Sequence, residues 1–296
     1  MPRTDHDDLD LLKSAGAEAA RIALTYFRRE PQVWLKDGGS PVSEADIAVD
    51  TRLASILRAA RPGYGWLSEE TGDDAERLDR ARVFVIDPID GTRGFLEGST
   101  EWTVSLAVVE NGRPVAAVLV GPALSVTYSA VRGAGAFRDG KRLQASATTD
   151  IGGARFASPR RYARAIERET GIPTPSRFVS SLAHRIALVA AGEIDVAIAR
   201  PDARDWDLAA ADLLVQEAGA RLTDMNGGDL RYNRAETAHP TLIATTPELF
   251  GQVADLVRTI HGQYQAGAPG QQDGGDERRD GETRTAAPSS GVWRGT

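Results

Sequence analysis

The stretch that decides the fold is Val83-Phe84-Val85-Ile86-Asp87-Pro88-Ile89-Asp90-Gly91-Thr92. Its first four residues are apolar and mostly β-branched, which predicts a buried strand. Two aspartates then bracket a proline. Because proline breaks the hydrogen-bond ladder of a sheet, Asp87 and Asp90 are not expected to alternate as ordinary strand residues. Since Gly91 allows a tight turn, we expect these carboxylates in a loop at a C-terminal strand edge, where α/β proteins usually build sites.

Two amphipathic helices are predicted before this strand. Apolar residues recur at helical spacing between residues 9 and 26, and again from about residue 44 to residue 60. Ser43 is the natural N-cap of the second helix. An apolar approach over residues 63–67 then leads to Glu69 and Glu70. The side of the second helix that we expect to be buried carries Ile47, Leu53, Ile56, Leu57 and Ala60.

After the strand, the pattern predicts an antiparallel meander followed by alternating helices and strands. Asn111-Gly112 is a strong hairpin signal within the meander, and Asp139-Gly140 marks a later turn. The apolar runs of the meander lie at 103–109, 114–120 and 125–131. From about residue 151, the predicted elements are strands at 194–199 and 242–245 and helices at 208–218 and 247–260.

This order of elements predicts two lobes and a tail. We expect an N-terminal α+β lobe over residues 1–140 and a C-terminal α/β lobe over residues 141–262. Residues 263–296 are rich in Gly, Pro, Gln, Asp and Arg and have almost no apolar content. Such a segment cannot bury enough apolar surface to offset its ordering entropy, so we predict a disordered tail.

Composition excludes several classes of function. Of the 296 residues, 41% are hydrophobic and 26% are charged, as in globular proteins. The net charge of −7 disfavours non-specific nucleic-acid binding. The absence of cysteine excludes disulfides, thiolate metal sites and cysteine nucleophiles, and it suits a reducing cytoplasm. Because there is no signal-peptide core and no apolar run long enough to span a bilayer, we expect a soluble cytoplasmic protein.

Acidic residues stand where several predicted strands end and helices begin, and each alone has an ordinary explanation. Glu69 fits a solvated surface loop. Asp87 and Asp90 fit turns, because Asp-Pro and Asp-Gly are turn dipeptides. Asp207 and Asp46 fit the first turns of helices, where a carboxylate caps the helix or complements its dipole. None of these positions indicates a function by itself.

Taken together, the acidic positions favour a metal site. Four carboxylates that converged would repel one another by about 3 kcal/mol per pair at a separation of about 5 Å and an effective dielectric of about 20. Such a cluster needs cations, and oxygen ligands without His or Cys select hard metals such as Mg²⁺. A hard-metal site beside the Gly91-Thr92 turn suggests phosphate chemistry. The four histidines show no metal-ligand spacing.

Four motifs in register resemble the signatures of the inositol monophosphatase superfamily of Mg²⁺-dependent phosphatases. The order and spacing of the motifs agree over about residues 8 to 262. The resemblance implies a layered α-β-α-β-α sandwich of mixed α+β and α/β type, with the site between the lobes, and often a homodimer. The motifs are Lys36 with residues 40–46, Ser68-Glu69-Glu70, Asp87-Pro88-Ile89-Asp90-Gly91-Thr92, and Trp206-Asp207-Leu208-Ala209-Ala210 with residues 217–219.

The resemblance also implies a set of metal ligands. Glu69, Asp87 and the carbonyl of Ile89 would hold a first Mg²⁺ ion. Asp87, Asp90 and Asp207 would hold a second. A third, weaker ion would share Glu69. The expected cofactor is therefore two to three Mg²⁺ ions, and no other cofactor is expected.

Catalytic and phosphate-binding roles follow from the same resemblance. Asp46 would polarise the hydroxyl of Thr92, which orients the attacking water. Glu69 would share in catalysis through the ions that it binds. The backbone amides of Gly91 and Thr92 would hold the phosphate group.

Two arginines bear on the substrate, for which three subfamilies compete: inositol monophosphatases, histidinol-phosphate phosphatases and 3′(2′),5′-bisphosphate nucleotidases. Arg93 follows Gly-Thr, as in the nucleotidase pattern, and Arg200 stands where inositol phosphatases place a substrate-binding glutamate. An arginine cannot accept hydrogen bonds from sugar hydroxyls, but it can pair with a second phosphate. This favours a nucleotidase of the bacterial sulfate-assimilation type (CysQ-type) that hydrolyses adenosine 3′,5′-bisphosphate to AMP and phosphate.

Other interpretations stay open. Both arginines could be solvated surface charges, and the chain could be a binding or regulatory protein that kept the fold and lost the chemistry. A small phosphorylated substrate is the expected partner, without nucleic acid and without stable membrane insertion.

Overall fold

The computed structural model describes residues 4–36, 39–171 and 179–266. The chain begins with the helices α1 (Asp5–Tyr26) and α2 (Glu44–Ala60). Between them, the short strands β1 (Val33–Leu35) and β2 (Pro41–Ser43) pair in an antiparallel hairpin. Helix α2 begins at its predicted N-cap, where the backbone amide of Ser43 donates to the Asp46 carboxylate over 2.8 Å. This reciprocal cap fixes the entry angle of the helix.

A seven-stranded sheet forms the larger of two β layers. Its strands are adjacent in chain order, and β3 and β4 are parallel while all later neighbours are antiparallel. A short helix, α3 (Thr92–Leu96), follows β4. The strands are β3 (Gly65–Ser68), β4 (Arg82–Asp90), β5 (Thr103–Glu110), β6 (Arg113–Gly121), β7 (Val126–Val131), β8 (Gly135–Arg138) and β9 (Lys141–Arg142).

A four-stranded sheet with the order β10-β11-β13-β12 forms the second β layer. It is mixed, since β10 and β11 are parallel whereas β13 is antiparallel to both of its neighbours. The strands are β10 (Phe156–Ala157), β11 (Val196–Ala199), β12 (Arg221–Asp224) and β13 (Leu242–Thr245). The helices of this half are α4 (Arg160–Thr170), α5 (Leu182–Ala190), α6 (Asp205–Glu217) and α7 (Pro247–Ala266).

Five layers follow from the way successive side chains of each strand point to opposite faces. Phe84 and Ile86 of β4 pack against α1 and α2. Val83 and Val85 face the other way, into a core shared with α5, α6 and one face of the small sheet. The far face of the small sheet packs against α4 and α7. The predicted α-β-α-β-α sandwich is therefore confirmed.

Most predicted elements are confirmed, with several corrections. Ile47, predicted to be buried, is 44% exposed, because α2 buries a stripe at four-residue spacing through Ala45 and Val49 that leaves Ile47 on the other side. Helix α6 begins three residues before the predicted start at Leu208. Strand β12 was not predicted at all, since only one of its four residues, Leu222, is apolar.

The end of β4 is the place where the chain departs from a regular sheet. The strand continues through Pro88 to Asp90, so the two aspartates belong to the strand and not to the loop that we expected. The ladder is nevertheless broken between them: Asp87 pairs with Ser105, but Asp90 pairs with Thr103, one position out of step. This irregularity re-aims the side chains at the end of the strand.

Two predictions about domain organisation stay open. The division into lobes at residue 140 stays a prediction, although α6 packs against strands of both sheets. Helix α7 continues to Ala266, and the rest of the predicted tail, residues 267–296, lies outside the described residues.

Candidate metal and phosphate site

Three elements bring carboxylates to one edge of the large sheet. Strands β3 and β4 are parallel neighbours with Ser68 opposite Ile86. Glu69, directly after β3, therefore lies beside Asp87 of β4. The backbone amide of Glu69 donates to the carbonyl of Ile86 over 3.2 Å. Asp207 arrives from the first turn of α6, where its carboxylate accepts a hydrogen bond from the backbone amide of Arg204 over 2.8 Å.

The geometry of this cluster suits a cation. One carboxylate oxygen from each of Glu69, Asp87 and Asp207 lies within 4.8 Å of the others. Within the part of the chain that the structure describes, this is the one such group of acidic or histidine ligand atoms. All of its ligand atoms are carboxylate oxygens, which match a hard divalent cation such as Mg²⁺.

Asp90 lies beside this cluster and is held from the opposite side. Its Oδ2 atom accepts hydrogen bonds from the Ser181 hydroxyl at 2.5 Å and from the Ala183 backbone amide at 2.7 Å, at the start of α5. Asp90 is also close enough that its charge raises the pKa of both Asp87 and Asp207. The structure therefore brings together all four predicted metal-ligating carboxylates.

The three aspartates of the site repel one another. Burial, and then the charges of Glu69, Asp90 and Asp207, raise the pKa of Asp87 well above its ordinary value. Burial and the neighbouring Asp90 do the same to Asp207. Burial raises the pKa of Asp90 to about 6, although hydrogen bonds from Ser181 and Ala183 oppose that rise. A bound divalent cation would remove this repulsion, so the residues present fit the Mg²⁺ ions that the sequence predicted.

Asp46 and Thr92 meet next to the cluster, as predicted. The Thr92 hydroxyl lies 3.2 Å from Asp46 Oδ1 and 3.1 Å from the carbonyl oxygen of Ile89. The other carboxylate oxygen of Asp46 accepts hydrogen bonds from the amide and the hydroxyl of Ser43. Burial raises the pKa of Asp46, while its bonds to Ser43 oppose the rise. Asp46 is therefore a fixed acceptor aimed at Thr92.

Gly91 provides the turn that places Thr92. Its φ of 93° lies in the left-handed region, where a side chain is strained. Space is also limited, because a Cβ atom on Gly91 would lie 2.9 Å from the backbone nitrogen of Ser181. A Cβ atom on Gly94 would overlap the Ser180 side chain. The start of α3 is thus packed directly against the start of α5, which leaves no room for larger residues.

Lys36 and Glu70 add a further pair of charges. The Lys36 ammonium lies 2.9 Å from a carboxylate oxygen of Glu69 and 2.8 Å from one of Glu70. Burial raises the pKa of Glu70 to about 7, and the hydrogen bond from Lys36 opposes that rise. Lys36 therefore ties the β1–β2 hairpin to the acidic cluster.

The arginines of the site are only partly those that the sequence indicated. Arg93 and Arg200 are exposed, Arg93 in α3 and Arg200 directly after β11. Sequence reasoning missed Arg185 of α5, whose guanidinium donates to the backbone carbonyls of Val179 at 3.1 Å and Ile198 at 3.3 Å. Burial, together with the charge of Arg200, lowers the pKa of Arg185 to about 10. Helical periodicity could have placed Arg185 one turn after Ser181, but nothing in the sequence showed that Asp90 lies beside it.

Comparison with known proteins agrees with the fold and identifies the family. The family model described as the inositol monophosphatase family matches residues 6–261. A histidinol-phosphatase from Mycobacterium tuberculosis is 36% identical over 75% of this chain and 89% of its own length. An inositol-1-monophosphatase from Rhizobium meliloti is 35% identical over 67% of this chain and 77% of its own length. The Nus factor SuhB of Escherichia coli K12 is 31% identical over 75% of this chain and 87% of its own length.

Solved structures give the same result. The IMPase of Thermotoga maritima superposes with a TM-score of 0.78 at 26% identity, covering 87% of this chain and 99% of that one. The suhB protein of Bartonella henselae superposes with a TM-score of 0.75 at 28% identity, covering 84% and 97%. Within the described residues, no helix is long and apolar enough to cross a membrane. With its motifs, layers and acidic cluster all in place, the chain belongs to the inositol monophosphatase family.

Proposed function

We propose that this chain is a Mg²⁺-dependent phosphomonoesterase that hydrolyses a 3′(2′),5′-bisphosphate nucleotide, adenosine 3′,5′-bisphosphate, to AMP and phosphate. The family is one of metal-dependent phosphatases, which supports the reaction type. The observation that carries the choice of substrate is the pair of neighbouring arginines, Arg185 and Arg200, of which Arg185 lies close to Asp90.

The ligand set supports the metal dependence. Glu69, Asp87, Asp207 and Asp90, together with the carbonyl of Ile89, would hold the Mg²⁺ ions. When bound, Mg²⁺ lowers the pKa of an attacking water and offsets the charge that develops on the leaving oxygen. In return, the bound ions would offset the repulsion among the buried carboxylates of Asp87, Asp90 and Asp207.

The neighbouring residues orient the reaction. Asp46, fixed by Ser43, accepts a hydrogen bond from the Thr92 hydroxyl, so that the Thr92 oxygen presents a lone pair to a water beside the phosphorus. The backbone amides of Gly91 and Thr92 would bind the phosphate oxygens. Lys36 supplies positive charge to Glu69 and Glu70 at the same time.

Two arginines that form no ion pair within the described residues favour a doubly phosphorylated substrate. Among the described residues, no acidic side chain lies within ion-pair distance of Arg185 or Arg200. The two guanidiniums are nevertheless close enough for one to lower the pKa of the other. An arginine fork binds a phosphate in a bidentate manner, and a second phosphate would remove the repulsion between the two cations.

Two relatives carry the names of alternative activities, histidinol-phosphatase and inositol-1-monophosphatase, whose substrates suit the two arginines less well. Histidinol phosphate carries an amine, which two neighbouring guanidiniums would repel. Inositol 1-phosphate carries uncharged hydroxyls, from which arginine cannot accept hydrogen bonds. A regulatory role without catalysis has the relatives named Nus factor SuhB in its favour, but this chain keeps the acidic group of Glu69, Asp87 and Asp207.

The test is phosphate release from adenosine 3′,5′-bisphosphate, adenosine 3′-monophosphate, inositol 1-phosphate and histidinol phosphate, each with and without Mg²⁺. We expect Mg²⁺-dependent release with a preference for the bisphosphate. Arg200→Glu should lower kcat/KM for the bisphosphate by about tenfold to hundredfold, as for a lost charge-assisted hydrogen bond, and leave adenosine 3′-monophosphate nearly unchanged.

A matched control is Arg58→Glu, which makes the same charge change at an exposed position of α2. It should affect neither substrate. Equal losses of both adenosine substrates in the Arg200 variant would contradict the second-phosphate role. Release from none of the four substrates would favour the regulatory interpretation.

A further inference from the structure

Asp205, two residues before Asp207, forms a buried polar pair with His239. The sequence motifs assign no role to either residue of this pair. Asp205, the first residue of α6, is fully buried. Its Oδ1 atom lies 2.7 Å from His239 Nε2, and its Oδ2 atom accepts a hydrogen bond from the backbone amide of Asn233 at 2.7 Å. Because a carboxylate only accepts, Nε2 carries the proton in this contact. Asp205 is therefore held on both oxygens by a loop that follows β12.

The same loop reaches the segment that follows Glu69. Asn233 Oδ1 accepts a hydrogen bond from the Arg77 guanidinium at 2.7 Å, and its Nδ2 donates to the Arg77 carbonyl at 3.2 Å. Arg77 is 2% exposed and lies between β3 and β4. Its remaining donors bond to Asp73 and to the carbonyl of Arg234. Asn233 thus connects the chain just after Glu69 with the first turn of α6.

This connection runs beside the acidic cluster. Glu69 and Asp207 come from segments almost 140 positions apart in sequence, and both must hold one oxygen within 4.8 Å of Asp87. Asp205 and Asp207 share one helical turn, so a rotation or shift of α6 that moved one carboxylate would move the other. The bonds to Asp205 oppose such a shift.

We propose that Arg77, Asn233, Asp205 and His239 form a positioning chain that sets the Asp207 carboxylate against Glu69 and thereby sets the affinity of the site for a divalent cation. The role rests on the proposed function in one respect, that such a cation binds there. None of the four residues touches the cation or the substrate. Partners that orient metal ligands in this way change metal affinity by about tenfold to a hundredfold when they are removed.

The experiment compares variants by titrating Mg²⁺ into metal-free full-length protein in a calorimeter, with the Mg²⁺ concentration for half-maximal hydrolysis as a second readout. Asn233→Ala removes the bonds to Arg77 but keeps the backbone amide that Asp205 accepts from. His239→Ala removes a donor to Asp205, and His239→Gln restores an N–H group. We expect Asn233→Ala and His239→Ala to weaken Mg²⁺ binding by about tenfold, and His239→Gln to recover part of the loss.

Tyr232→Phe is the matched control. Tyr232 lies in the same loop and is equally buried, but its hydroxyl donates to Asp212, in a later turn of α6, over 2.9 Å. Its loss should lower the thermal stability without changing Mg²⁺ affinity. If the control weakens Mg²⁺ binding as much as the other variants do, or if none of them weakens it, the positioning role is overturned. Should the wild-type protein bind no divalent cation, the proposed function fails and the positioning role fails with it.

Discussion

Asp195, in the segment before β11, and Asp87, at the end of β4, are each 1% exposed, yet their surroundings differ completely. Asp195 accepts hydrogen bonds from the Arg155 guanidinium, the Arg155 amide and the Thr148 hydroxyl. Asp87 accepts one, from the amide of Ile89, and no cation lies within ion-pair distance of it among the described residues. The two carboxylates are thus equally buried, but Asp195 is surrounded by hydrogen-bond donors and Asp87 by like charges.

The pKa shifts follow from that difference. Burial alone would raise the pKa of Asp195, but its bonds from Arg155 outweigh that effect and hold the pKa at about 2. For Asp87, burial and the charges of Glu69 and Asp90 act in the same direction and raise the pKa. A buried acid that is paired keeps its charge because its donors offset the cost of burial, whereas a buried acid that is left among other acids costs stability and makes the place a candidate binding site.

The largest effect is expected from Asp87→Asn. Removing this ligand should lower Mg²⁺-dependent phosphate release by about a thousandfold or more, since the metal supplies most of the acceleration. Without metal, the free energy of unfolding of the variant should exceed that of wild type by about 1 to 2 kcal/mol, because one of the repelling charges is gone. Thermal unfolding in EDTA measures the gain. An active variant, or one less stable than wild type in EDTA, would contradict this account of the cluster.

The second effect concerns pH in the absence of metal. The folded-state pKa of Asp90, about 6, is above the ordinary value of 3.8, so the folded protein binds more protons than the unfolded chain between these pH values. Its stability should therefore fall as pH rises through this window, by about 3 kcal/mol for such a group. Asp195, with a pKa of about 2, acts in the opposite direction, and its contribution is lost only as pH falls from about 4 toward 2.

Saturating Mg²⁺ should remove the loss of stability between pH 4 and 6, because a ligand that binds only the folded protein stabilises it by mass action. The measurement is denaturant unfolding at a series of pH values, with EDTA or with Mg²⁺. Two parallel profiles, with and without metal, would show that these carboxyls are not the cation site.

How much of the fold and of the site could be predicted from the sequence depends on whether a feature is determined by neighbouring residues or by contacts between distant segments. The bounds of α2 and the turn at Asn111-Gly112 depend on local signals, a capping serine and a residue pair with positive φ, and both are confirmed. The convergence of Glu69, Asp87 and Asp207 could be expected because acids at strand ends and helix starts share one sheet edge. The roles of these residues remain predictions.

Other features depend on contacts between distant segments, which no local pattern contains. Arg185 looks like an ordinary helical residue until α5 is placed against Asp90. Ile47 fits a helical apolar stripe in sequence, but the sheet contacts a different stripe of α2. The full burial of Asp205 is likewise visible only when the loop after β12 closes over it.

The third effect tests the paired side of the comparison. Arg155→Ala should lower the free energy of unfolding by about 2 kcal/mol, because it leaves the buried Asp195 without a charged donor; the partial exposure of Arg155 keeps the loss below that of a fully buried pair. Phosphate release and Mg²⁺ affinity should not change, since the pair lies outside the site. Denaturant unfolding and the phosphate assay check the two parts. A loss of Mg²⁺ affinity would show that the two carboxylates are not independent.

The smallest effect is expected from Ser181→Ala. This variant tests Asp90, whose surroundings are intermediate between those of Asp87 and those of Asp195. Asp90 is buried like Asp87, but the Ser181 hydroxyl and the Ala183 amide donate to it, and these bonds keep its pKa near 6 despite full burial. Ser181→Ala removes one of them and should raise the pKa of Asp90 further. The carboxylate would then be harder to ionise for a metal, and Mg²⁺ affinity at pH 7 should fall by about tenfold.

The pH dependence separates this cause from a general loss of structure. If the missing hydrogen bond acts through the ionisation of Asp90, the difference in Mg²⁺ affinity between Ser181→Ala and wild type should shrink as pH rises from 6 to 9, because both proteins then carry an ionised Asp90. Ser129→Ala, a buried serine on β7 away from the cluster, is the control and should leave Mg²⁺ affinity unchanged at every pH. A constant difference across that range would mean that Ser181 acts on the geometry of α5 and not on the charge of Asp90.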